Sequence, residues 1–365
     1  MNKSKAFSTL ATCLVAVSLA IIIFVFCTAP FTANRLNAAT DVASLRDGWS
    51  LLLQDGTLQP VTMPYTHKQT DTAPFTLTYT LPHSQADTLL LTAYYCNTQI
   101  LLDGAPIYSY QTSADCANFK TDGKVYMLVS LPDNSGGKVL TVTYTPQFGG
   151  LKGYRLDTPL LGDKTNLIMD ALADGLPHMI LMFILLLLGI GLMVYHFINT
   201  RNPRYDGNML YLGLFCVLCV CYLTLHQRWI HLIYPSHFAL YVIEFLSHGT
   251  LIMPMLLILR NITKGINHKL INAGISLCMA NLFVQLVLYF FTPVELRQML
   301  LFSHLTMIIT LPIIMGILLN PKGMITTARL EIIYSLVPLG IFGALDIALH
   351  YLFPNTRGGF FYKLA

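Results

Sequence analysis

Between residues 178 and 353 the chain alternates long apolar stretches with short polar links. The apolar stretches run 178–198, 207–226, 237–259, 270–291, 298–319 and 330–353. Each is about 20 residues long, the length at which an α-helix crosses ~30 Å of hydrocarbon. Helices that are apolar all round have no side to turn to water. The pattern therefore predicts an all-α bundle of six transmembrane helices over 178–353.

The preceding stretch has a shorter period. From Asp47 onward, β-prone runs at 49–53, 75–81, 88–95, 99–102, 125–131 and 139–144 are separated by turn residues. Asp55-Gly56, Asp103-Gly104, Asp122-Gly123 and Asn134-Ser135-Gly136-Gly137 supply those turns, because Gly, Asn and Asp tolerate positive φ. Such spacing predicts an antiparallel β-sandwich filling a domain over 30–165. Residues 166–177 then form a connector, in which 170–175 predicts a short amphipathic helix at the membrane surface.

Lys3 and Lys5 precede an apolar run from Leu10 to Cys27, which predicts an uncleaved signal-anchor over 1–29 with its N-terminus in the cytoplasm. Residues 30–176 are then extracellular, and the protein is a multi-pass component of the plasma membrane. The links test that orientation independently. Arg201, Arg204, Arg260, Lys264, Lys269, Lys322 and Arg329 fall on the cytoplasmic side, against Arg228 and Arg297 outside. This is the positive-inside pattern.

Composition agrees: the chain is 54% hydrophobic and 11% charged, with mean hydropathy +0.58. A globular protein carries about 25% charged residues. The net charge of +4 sits mostly in the links, so it reports membrane topology and gives no footprint for nucleic acid. The lipid bilayer is the first partner implied, and self-association as a homodimer is left open. Cys96 and Cys116 are the two cysteines of the exported domain, an even count that suggests a disulfide in an oxidising compartment.

The order Asp47-Gly48-Trp49, Met63-Pro64-Tyr65, Leu81-Pro82 and then Leu101-Leu102-Asp103-Gly104-Ala105-Pro106-Ile107-Tyr108 resembles a jelly roll of the galactose-binding type. The resemblance implies a hairpin at the sandwich edge and an extracellular small-molecule ligand such as a carbohydrate. Trp49, Tyr94, Tyr95, Tyr108 and Tyr110 read first as core or edge aromatics, with sugar stacking as the rival role. An export segment, an outer β-sandwich and a multi-helix bundle, with Tyr241-Val242-Ile243-Glu244-Phe245 and Met253-Pro254 in its third helix, together resemble the bacterial seven-transmembrane receptors with diverse intracellular signalling modules. Members carry a diguanylate cyclase or histidine kinase domain after the bundle. This sequence departs from them in having six bundle helices, with 354–365 as an extracellular tail and an apparent truncation, and no output motif.

Ionisable groups at bilayer depth cost about 3 kcal/mol or more, so each is a candidate for function. Glu244, His248, His304, Asp346 and His350 qualify. Glu244 and His248 share a helix face, as do Asp346 and His350. All but His248 fall within roughly 15 Å of the outer surface at a rise of 1.5 Å per residue. They could pair across helices and fix the packing, or line a pocket that binds a ligand or senses protons. They could also bind a metal such as Zn²⁺ for an intramembrane hydrolase, resembling families with a His-x-x-x-His helix and a distant Asp. No nucleophile, phosphate-loop or dinucleotide motif occurs, so no catalytic residue, cofactor or resident metal is assigned. Membrane sensor, metal-dependent hydrolase and transporter are the functions left standing, in that order.

Overall fold

A computed structural model describes residues 42–69, 71–112, 121–151, 153–202, 207–263 and 268–319. The expected signal-anchor, sixth span and tail lie outside the described residues, as do Cys116, Asp346 and His350.

Residues 43–162 are rich in β-structure. Among the described residues the strands are β1 (Ala43–Ser44), β2 (Trp49–Leu52), β3 (Leu58–Val61), β4 (Tyr65–His67), β5 (Phe75–Thr80), β6 (Thr88–Tyr94), β7 (Cys96–Leu102), β8 (Ala105–Tyr110), β9 (Lys124–Ser130), β10 (Val139–Pro146), β11 (Tyr154–Leu156) and β12 (Leu160–Gly162). They form a six-stranded sheet ordered β3-β2-β5-β10-β7-β8, a four-stranded sheet ordered β1-β12-β6-β9, and the pair β11-β4. All pairings are antiparallel.

Alternation of side chains along each strand puts every second residue on the inner face. Leu51, Leu77, Ile100 and Val142 from the larger sheet meet Leu89, Leu91, Met127 and Val129 from the smaller one in a single apolar core. Trp49 anchors it, stacked on Tyr79 with ring centroids 4.7 Å apart, while its Nε1–H donates to the Leu45 carbonyl at 2.9 Å. Asp103 and Gly104 both take positive φ, 48° and 82°, as a two-residue hairpin demands. That hairpin delivers β8 to the sheet edge, where Pro106 blunts it as Pro60 blunts β3 at the other edge.

The helices are α1 (Lys164–Asn199), α2 (Asn208–Leu225), α3 (Arg228–Ile233), α4 (His237–Thr250), α5 (Ile252–Ile262), α6 (His268–Phe291) and α7 (Leu300–Leu319). Five segments among the described residues are long and apolar enough to cross a membrane: α1, α2, α4 with α5, α6 and α7. Two boundaries differ from the sequence expectation. The connector 166–177 is no separate element, because α1 runs unbroken for 36 residues through Pro177, about 54 Å at 1.5 Å per residue. The third span is two helices meeting at Leu251, with Pro254 in the first turn of α5, where a missing N–H costs no hydrogen bond. Helices α1 and α2 touch backbone to backbone, since a Cβ on Gly213 would lie 2.8 Å from the Gly189 carbonyl oxygen.

Candidate functional site

Two polar assemblies stand out, one inside the helices and one where the β region meets them. The inner one contains three of the five residues expected from sequence. His248 and His304, from α4 and α7, are both buried and their rings meet edge to face with centroids 5.3 Å apart. Tyr222 of α2 joins them, 5.3 Å from His248. Glu244 turns elsewhere: its Oε1 lies 3.6 Å from Nε2 of His226, whose Nδ1 contacts the Tyr222 carbonyl at 2.9 Å. One turn of α4 therefore sends its acid and its imidazole to different partners. Further along, Gln285 Nε2 donates to Ser303 Oγ at 2.8 Å and to Asn281 Oδ1 at 3.0 Å. Among the described residues no group of three or more His, Cys, Asp or Glu side chains is arranged to hold a metal ion.

The outer assembly was not foreseen. It forms because β9 and the turns beside it rest on α3, on the start of α4 and on the 292–299 link. Lys124 lies over the rings of Tyr126 and Tyr94, at 4.5 and 5.0 Å, and its Nζ is 3.7 Å from Asp157. Burial opposes its charge, but Tyr126, Tyr94 and Asp157 outweigh burial and hold its pKa well above the usual lysine value. Tyr126 in turn contacts His231 of α3 at 5.7 Å. Gly123, with φ 70°, lies so close to Tyr241 that a Cβ there would be 2.7 Å from its ring. Tyr95 meets Tyr241 edge to face at 6.0 Å, and burial pushes the Tyr95 phenol up to about 12. Tyr241 OH donates to Glu295 Oε2 at 3.3 Å and accepts from the Arg297 N–H at 3.1 Å. Gln298 closes the seam by donating to the Gly149 carbonyl at 2.8 Å.

The short helix α3 ties this seam to α1 as well. Arg228 Nη2 lies 2.8 Å from Asp170 and 3.9 Å from Asp174. Trp229 occupies the space that a side chain at Gly175 would need, since a Cβ there would collide with its Cδ1. Trp229 packs on α1, and Tyr289 is buried. Six residues are too few to show a helical period, so α3 left no signal in the hydrophobic pattern. His231 in the link 227–236, with His226 and His237 at its two ends, was the available clue.

Cys96 is buried with a free thiol, which burial pushes up to about 12, and its expected partner Cys116 lies outside the described residues. Trp49 is a core residue, Tyr108 lies on edge strand β8, and Tyr95 is part of the seam. No family model matches the chain, and searches of characterised proteins and of solved structures find no match either.

Proposed function

We propose that this chain is a sensor of the plasma membrane whose β region binds an extracellular small molecule and biases the packing of its helices. The observation that carries the reading is the seam. A β domain merely tethered to a membrane would need a linker; here Gly123, Tyr126 and Gly149 contact Tyr241, His231 and Gln298 directly. A ligand shifts such a joint only by binding one arrangement better than the other. The β region is read as a galactose-binding-type jelly roll and the chain as the sensing part of a seven-transmembrane receptor with a diguanylate cyclase or histidine kinase as output. A carbohydrate is the first ligand class to try. The test is thermal-shift and exchange screening of the full chain in detergent micelles against sugars and other metabolites. A ligand that raises the melting temperature and alters exchange in 228–233 supports the sensor; stabilisation confined to the β strands, or none with any class, removes it.

A further inference from the structure

We propose that His231 is a proton-binding site at the seam, and that acidification releases β9 from α3 by protonating it. The inference stands apart from the sensor reading, because it concerns the joint itself and needs no small-molecule ligand.

His231 is 5% exposed. Its Nε2 lies 2.9 Å from the Leu225 carbonyl, so that nitrogen carries the hydrogen and donates. Nδ1 is then a bare lone pair, and it has no hydrogen-bond partner among the described residues. The ring lies nearly parallel to that of His237, centroids 6.2 Å apart, and is tilted against Tyr126 at 5.7 Å.

Among the described residues a proton on Nδ1 finds no acceptor, because the carboxylates of the elements packed around it are engaged elsewhere. From the β side, Asp157 accepts from Tyr94 OH at 2.9 Å and faces Lys124 and Arg155. Asp122 accepts from Tyr110 OH at 2.6 Å. On the helix side, Asp170 and Asp174 face Arg228, and Glu244 faces His226. What remains around His231 is repulsive or neutral: the Lys124 ammonium, the imidazoles of His237 and His226, and the Tyr126 ring. The imidazolium is therefore a poor fit for the closed seam and an ordinary species once the seam opens to water.

Burial first, and Lys124 second, push His231 down to about 3 from its usual 6.5. The sign follows from that depression. The closed seam keeps its full stability above the pKa of the open form and loses it as pH falls from 6.5 toward 3. At about pH 5 the closed-to-open ratio falls about 30-fold relative to neutral pH.

The experiment is hydrogen exchange on the full chain in detergent micelles, at about pH 7.5 and about pH 5, corrected for intrinsic exchange rates. Wild-type protection over 124–130 and 228–233 should fall by about 30-fold while β10 is unchanged, and His231→Gln should remove the difference. A wild-type seam indifferent to pH overturns the proposal, as does a His231→Gln seam that still opens. If His231→Gln lacks a protected seam at neutral pH, Lys124→Met decides. Loss of the neighbouring cation raises the pKa of the closed form, so in a pH series extended to about pH 3 the fall in protection should level off at a higher pH, and an unaltered series overturns the proposal.

Discussion

The β region and the helices use apolar residues in opposite senses. In the β region the large apolar side chains converge on one core, and among its described residues only Leu52, Leu53, Leu58 and Val139 are exposed. On the helices, Phe183, Leu187, Ile198, Phe283, Phe291 and Ile308 point outward, while Gln285, Ser303, His304, Thr306 and Thr310 are buried. The same chemistry is sorted inward by water and outward by hydrocarbon, since only water penalises exposed apolar surface. Exposure alone therefore means nothing until the solvent is named.

The largest effect that would sharpen this contrast comes from truncating one residue in each region. Trp49→Ala removes a ring that is 1% exposed in a two-sheet core and should cost about 3–5 kcal/mol, read as a lower denaturation midpoint of the β region. Phe283→Ala removes a side chain that is 68% exposed and should change stability by about 0.5 kcal/mol or less in micelles. Comparable losses at both sites would break the comparison. A second pair probes the solvent directly. Leu58 on β3 and Leu187 on α1 are 58% and 55% exposed, so geometry alone treats them alike. Arginine should be tolerated at 58 and should cost about 3 kcal/mol at 187, seen as poor membrane insertion and low yield. Equal tolerance at both positions would mean that α1 does not face lipid there.

Much of the architecture was legible in these terms. Six strands announced themselves through alternation and through Asp-Gly and Asn-Ser-Gly-Gly turns, and all six are present. β3 was not, because Leu58-Gln59-Pro60-Val61 is exposed or half-exposed throughout and shows no alternation. The five described spans were legible as apolar runs, but the start of α1 was not. Residues 170–175 read as a short separate helix in a connector, whereas one helix runs through them and Pro177 without a break and packs on Arg228 and Trp229. Of the site, burial and membrane depth singled out Glu244, His248 and His304. The sequence could not say that His304 meets His248 while Glu244 meets His226, because that depends on how helices from distant segments are rotated. His231 was invisible for a similar reason. Its character comes from β9, about a hundred residues away in the chain.

The smallest effect tests the place where the two solvents meet. Arg228 and Asp170 lie at the joint of α3 with α1, partly exposed, with Nη2 and Oδ2 2.8 Å apart. Buried in hydrocarbon such a pair would cost more than it returns, and in open water it would contribute almost nothing. At a half-wet boundary the charge-assisted bond should be worth about 1 kcal/mol. Arg228→Ala should then leave the β core and the lipid-facing helices untouched, and raise hydrogen exchange over 164–176 about 5-fold, the equivalent of that energy. Arg228→Lys should recover only part of the protection, because an ammonium cannot reproduce the guanidinium fork toward Asp170 and Asp174 together. If exchange in those turns is unchanged by the alanine, Gly175 and Trp229 hold the joint by packing alone, and the seam is as dry as the sheets it adjoins.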